Sequence, residues 1–331
     1  MTRLVLLHGR DNQGLDAEDL ERTWRTVLSA GLAAAGRPRH VTDDDASFVY
    51  YGDTLAALVR GDGTPPPVTV HAVSGSRWDR IDVDRRAVAD LPEDELRFLE
   101  SVASEVLRAA GVGEAQVAVD AREGGAPTPL GGAARGALGS LGELGGWVNA
   151  LLSALDAYVP GLSSGVLVLL VRDVWAYLHD ADVRRVIDDA VAAAVPTDEP
   201  AVVVGHSFGS VVAYSVLREH PDARRWDVPL LLTLGAPLAV RAIRDALAAR
   251  APLRVPAEVD QWVAVRDRRD PLAFHGLGPA VFPLAPGSPP IEELEVENDA
   301  PGRHAAAVLL DDGRLPAGYL ALPEVARLLP R

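Results

Sequence analysis

The apolar positions of the chain alternate between two patterns. Short unbroken apolar runs are separated by longer stretches in which apolar residues recur every three or four positions. The first run, residues 4–7, ends in His8-Gly9 and reads as a buried parallel strand. Over residues 16–35, Leu20, Trp24, Val27, Leu28 and Leu32 follow at helical spacing. Asp16 and Asp19 near the start and Gly36 near the end are boundary signals for that helix. Residues 47–51 (SFVYY) read as a second buried strand. The same alternation returns late in the chain. Residues 180–195 predict a helix, 201–204 a strand, 208–220 a helix, 228–237 a strand and loop, and 238–250 a helix. A strand over 258–265, a more exposed strand over 291–298 and a closing helix over 323–329 complete the pattern. Strands alternating with helices predict a mostly parallel sheet covered on both faces.

The middle breaks this rhythm. Residues 61–67 (GDGTPPP) are a breaker cluster. Residues 84–110 read as a charged amphipathic helix region. Residues 111–146 are rich in glycine and alanine, a composition of mobile loop or loosely packed short helices. Residues 147–178 are strongly apolar and include Trp147, Leu151, Leu155 and Val159. Neither GVGEA nor GGAARG follows a strand, so neither is a dinucleotide loop. No internal repeat is present. The expected organisation is one domain over 1–331, with a core of 1–52 and 179–331 and an insertion, 53–178, over the end of the sheet.

Composition narrows the chemistry. The chain has 331 residues, 48% of them hydrophobic, enough for a sizeable core. Its formal charge is −15 with no basic cluster, which argues against a nucleic-acid partner, because phosphate binding needs concentrated positive charge. All 32 basic residues are arginine, so Schiff-base and P-loop lysine chemistry are excluded. There is no cysteine, hence no disulfide, thiolate nucleophile or cysteine-ligated metal. Asp43-Asp44-Asp45 lacks calcium-loop spacing and reads as solvated charge; no metal or cofactor is expected. The N-terminal apolar run is too short for a signal peptide, and 165–171 is too short for a membrane span. The expectation is a soluble, cytoplasmic protein without a transmembrane segment.

Two stretches fit the pattern G-x-S-x-G. At Gly205-His206-Ser207-Phe208-Gly209 the pattern sits between a β-branched run and an amphipathic helix. That context suits a tight strand-to-helix turn, where glycines two residues either side of the serine remove clashing side chains and the hydroxyl is pushed outward. At Gly161-Leu162-Ser163-Ser164-Gly165 no buried strand precedes the pattern, which reads as a loop between helices. Ser207 is therefore the candidate nucleophile.

Taken with LVLLHGR at the start, LLTLGAPL, RRDPLAF and the terminal GRHAAAVLL and GYLALPEV, the stretch VVVGHSFGSVVAYSVL resembles the α/β-hydrolase superfamily, and within it the lipase and PGAP1-like serine esterase branch. The resemblance covers residues 1–52 and 179–331. It implies an α/β-hydrolase fold with a largely helical cap insertion, and a triad in the chain order serine, acid, histidine. Both Asp267 and Asp270 stand after the 258–265 strand; the family pattern of Asp before Pro favours Asp270, leaving Asp267 as a solvated charge among arginines. His40, His71, His179, His8 and His206 precede Ser207, His220 lies at a helix end, and His275 is too close to Asp270. His304, after the last strand, fits the order. The resemblance also implies an oxyanion hole from the backbone N–H of Phe208 and one from the loop after the first strand, Arg10 first and Gly9 second.

The implied activity is cleavage of a carboxylic ester of a small-molecule or lipid-like substrate through an acyl-enzyme; thioester hydrolysis and acyl transfer use the same parts. A different expectation, drawn from the long unplaced middle, is a hydrolase-like scaffold whose insertion binds a protein partner. Trp147 and the leucines after it read as a helix-packing face, or as an acyl-binding cap.

Overall fold

The computed structural model describes residues 2–9, 16–42, 44–60, 69–70, 88, 91–123, 141–310 and 313–330. Strands Arg3–Leu7 (β1), Ala46–Tyr50 (β2), Thr69–Val70 (β3), Ala201–His206 (β4), Leu230–Leu234 (β5), Trp262–Arg266 (β6) and Glu292–Glu295 (β7) form one sheet. Its spatial order is β3, β2, β1, β4, β5, β6, β7. All neighbours pair in parallel except the edge strand β3, which runs antiparallel to β2. Burial explains the sequence of each strand. Every residue of the central β4 is buried, so it reads as a continuous apolar run. The edge strand β7 carries three exposed glutamates, which discourage pairing with another chain.

Alternate side chains feed two cores. Leu4, Leu6, Phe48, Val202, Val204, Leu232, Val263 and Val265 face helices Ala17–Ala34 (α1) and, at the C-terminus, Pro323–Leu328 (here α10). Asp16 caps α1 by accepting from the Glu18 amide at 2.8 Å, as the start signal predicts. Val5, Leu7, Val49, Val203, Leu231 and Trp262 face the other way. That side carries Gly52–Arg60 (α2), Glu93–Ala109 (α3), Glu114–Glu123 (α4), Leu141–Tyr158 (α5), Ser164–His179 (α6), Ala181–Ala194 (α7), Phe208–Glu219 (α8) and Arg241–Arg250 (α9). Helices α3, α5 and α6 share one continuous core with α8: Leu96, Leu99, Val102, Leu151, Leu155, Leu167 and Val174 join Val211 and Val212. Trp147 is buried there too, so the apolar face of α5 is a packing face.

The turn between α5 and α6 contains the second G-x-S-x-G. The pattern lies between two helices, as the sequence reading expects, and Ser163 caps α6 by accepting from the Val166 amide at 3.2 Å. At the tip of the same turn Gly161 meets Gly302 backbone to backbone; a Cβ on Gly161 would lie 2.6 Å from the Gly302 Cα.

Three features have no counterpart in the sequence reading: helix α2, strand β3, and an antiparallel hairpin of Val308–Leu310 (β8) and Leu315–Ala317 (β9). Strands of two or three residues are too short to display a period of two. Among the described residues no helix is long and apolar enough to cross a membrane.

Candidate functional site

Ser207 sits where β4 ends and α8 begins, with φ 51° and ψ −122°. Positive φ is rare and costly for a residue with a Cβ. The turn is held by the Ser207 amide, which donates to the Leu234 carbonyl at 2.9 Å. The flanking glycines are required by contact. A Cβ on Gly205 would lie 2.7 Å from both the Gly209 carbonyl oxygen and the Ser210 Cα. One on Gly209 would lie 2.4 Å from the Leu7 carbonyl oxygen. Helix α8 thus starts pressed against the end of β1. Phe208 is its first residue, so the Phe208 N–H is one that no intrahelical carbonyl can accept from.

Asp270 follows β6 and is fully buried. Its Oδ1 accepts from the Leu272 amide at 2.9 Å, and its Oδ2 from the Tyr319 hydroxyl at 2.7 Å. His304 follows β7. Its Nδ1 lies 2.8 Å from both Asp270 oxygens, and its Nε2 lies 2.8 Å from Ser207 Oγ. A carboxylate can only accept, so Nδ1 carries a proton and Nε2 is left to accept one from the hydroxyl. Three residues 97 and 34 positions apart in the chain are joined in one line.

Asp267, the alternative acid, is elsewhere. It is buried rather than solvated, which corrects the sequence reading. Its carboxylate accepts from the Arg269 amide at 2.8 Å, the Arg269 guanidinium at 3.1 Å and the Asn298 amide at 2.8 Å. Burial alone would raise its pKa; the hydrogen bonds from Arg269 and Asn298 outweigh that and hold it below the ordinary aspartate value. Asp267 therefore braces the loop after β6 against the loop after β7.

Arg10 lies outside the described residues, as do Asp43 and His71. Gly9 is described and lies against the elbow: a Cβ there would be 2.9 Å from the Ser207 Cβ. His8 is structural. Its Nδ1 donates to the Gly9 carbonyl at 2.5 Å, and its Nε2 accepts from the Tyr51 amide at 3.2 Å. Burial lowers its pKa to about 4, against the opposing pull of the Gly9 carbonyl, so the ring is neutral at pH 7. Asp45, at the end of the acidic run, closes a turn by accepting from the Thr42 amide at 2.9 Å. His179 stacks on Trp175, and His220 accepts from the Asp222 amide at a 3-10 turn.

Two residues that sequence reasoning left without a role belong to the site. Tyr319 bridges both aspartates: it donates to Asp270 and accepts from the Asp267 amide at 3.0 Å. Burial, then the Asp270 charge, pushes its phenol pKa far up, so it remains a donor. Gly235, in the LGAP turn after β5, has φ 55°, and a Cβ there would lie 2.8 Å from Asp270 Oδ2. Glycine makes room for the carboxylate.

Comparison with protein-family models finds no match, and comparison with curated proteins finds none either.

Proposed function

We propose that this chain is a serine hydrolase of the α/β-hydrolase type that cleaves a carboxylic ester. The observation that carries the reading is the line from the buried Asp270 carboxylate through the His304 ring to Ser207 Oγ, with both His304 nitrogens at 2.8 Å from their partners. A serine hydroxyl is a weak nucleophile until a base takes its proton, and an imidazole held by a carboxylate is such a base. In this reading Ser207 Oγ attacks the ester carbonyl as its proton passes to His304 Nε2. The tetrahedral oxyanion is met by the Phe208 N–H at the start of α8 and by an amide of the loop after β1, from Gly9 or Arg10. The C–O bond to the alcohol then breaks, and His304 gives that alcohol its proton. Water, activated by the same nitrogen, releases the acid and restores Ser207. Asp270 keeps the ring in the required tautomer and balances the charge it acquires. Thioester cleavage and acyl transfer would use the same groups with a different leaving group or acceptor.

The test is covalent labelling. A fluorophosphonate probe should modify Ser207 in the folded wild type, and Ser207→Ala should remove both the label and p-nitrophenyl ester turnover, the latter by on the order of 10^4-fold or more. Folded wild-type protein that stays unlabelled sinks the proposal.

A further inference from the structure

Three successive carbonyls of the loop that carries His304 are each held by a buried side chain. Asn298, fully buried, donates from Nδ2 to the Arg303 carbonyl at 3.1 Å and to the Ala305 carbonyl at 3.0 Å. Its Oδ1 accepts from the Ala300 amide at 3.0 Å, and the Arg303 guanidinium donates back to the Asn298 carbonyl at 2.9 Å. The carbonyl between them, that of His304, accepts from His206 Nε2 at 2.6 Å. His206 is the residue immediately before Ser207. We propose that His206 is a positioning residue: its bond to the His304 carbonyl, with Asn298 holding the carbonyls on either side, fixes the separation of Ser207 Oγ and His304 Nε2.

The geometry around His206 leaves the ring one orientation. Its Nδ1 edge lies against Gly9, where a Cβ would come within 2.8 Å of it. The edge of Trp24 from α1 meets it at 72° and 6.1 Å, and the His304 ring lies tilted against it at 4.8 Å. A carbonyl can only accept, so the proton is on Nε2. The loop needs such a hold because it is not relaxed. Arg303 has φ 62°, beside Gly302 at φ 71°, and a left-handed residue with a Cβ persists only where its surroundings over-determine it. The bond also spans two separate segments: one end is in the turn that presents the hydroxyl, the other in the loop that presents the base. A fixed tie there sets the distance across which the proton moves, and errors of this kind cost rate rather than binding. Burial, then the neighbouring His304, keeps the His206 pKa well below its ordinary value, so the tie adds no second cation beside an imidazolium.

The catalytic consequence rests on the serine-hydrolase reading; the tie itself does not, and the test separates them. Hydrogen exchange of amides 300–306 and fluorophosphonate labelling of Ser207 are measured in wild type, His206→Gln, whose Nε2 reaches a similar point, and His206→Leu, which has no donor. Exchange should be alike in wild type and the glutamine variant and about tenfold faster in the leucine variant, with α1 and β2 unchanged. Labelling and kcat should fall about tenfold in the leucine variant, with KM within about twofold, and recover with glutamine. If the leucine variant does not fold, His206→Met, an unbranched filler without a donor, takes its place. Wild-type exchange in the donor-less variant, or equal loss in the glutamine variant, overturns the proposal. A wild type that never labels overturns the hydrolase reading instead, and the exchange result still decides the tie.

Discussion

Replacing Gly235 by alanine tests how tightly Asp270 and His304 are seated. The change adds one methyl group at a position with φ 55°, 2.8 Å from Asp270 Oδ2, 3.0 Å from the Tyr319 ring and 3.3 Å from His304 Nδ1. Two costs add. Holding a residue with a Cβ in the left-handed region costs about 1–2 kcal/mol. Forcing a methyl into a filled space costs about 1–3 kcal/mol more. Non-bonded carbon contacts settle at about 3.5–4.0 Å, so Asp270 and the methyl must separate by roughly half an ångström or more. That displacement passes straight to His304, and misplacement of about 1 Å costs about 10^2-fold in rate, so roughly tenfold is expected here. Gly36 supplies the control. It ends α1 with φ 76° and nothing within 4 Å of its added Cβ, so Gly36→Ala carries the backbone cost alone. Urea unfolding should show Gly36→Ala down by about 1–2 kcal/mol and Gly235→Ala by about 2–5 kcal/mol. Labelling of Ser207 should slow only in the second. Equal destabilisation with unchanged labelling in both variants would refute the claim that Gly235 makes room for the Asp270–His304 pair.

Further outcomes follow from single contacts. Asp270→Asn should keep the packing but lose about 10^4-fold in kcat, because an amide can donate toward Nδ1 and select the wrong tautomer. Asp267→Asn should leave labelling nearly intact while lowering the urea midpoint, since the buried carboxylate loses its charge-assisted bonds from the half-exposed Arg269 guanidinium. Ser207→Gly should be more stable than Ser207→Ala by about 1 kcal/mol, because only glycine accepts φ 51° and ψ −122° without strain. His8 is protonated more readily in the unfolded chain, at its ordinary 6.5, than in the fold, at about 4. Its contribution is therefore complete above pH 6.5 and is lost as pH falls toward 4, about 3 kcal/mol in all. Comparing urea midpoints from pH 7 to 4.5 should show a smaller loss in His8→Gln than in wild type; parallel curves would exclude the assignment.

The sequence displayed what depends on local pattern. The central strands are fully buried, so their apolar runs are unbroken, and the elbow at Ser207 joins a strand to a helix whose start is forced by Gly205 and Gly209. The spacing of Ser207, Asp270 and His304 was legible as an order, while their convergence was not, because it depends on three loops leaving the same end of one sheet. Asp267 misled for a physical reason: an aspartate among arginines looks solvated, and only the fold shows the loop after β7 closing over it. Tyr319, Asn298 and His206 carry no pattern at all. Tyr319 and His206 act through one or two hydrogen bonds to groups far away in sequence, and Asn298 through bonds that fold its own loop. Helix α2 and the β8–β9 hairpin are short, and their stability comes from what they pack against rather than from periodicity.

The bare meeting of Gly161 and Gly302 has a consequence for redesign. Segments between the strands of such a sheet are the natural place to alter what a site accepts, since they can be exchanged while the sheet stays intact. The α5–α6 hairpin is only partly exchangeable. Its tip rests on the loop two residues before His304, with no side chain on either surface to yield. A transplanted hairpin one residue longer, or one bearing alanine at its tip, would lift that loop and carry His304 away from Ser207. Grafts that end before Val159 and resume after Ser163 keep this seat, and libraries confined to that boundary should retain labelling where those crossing it do not.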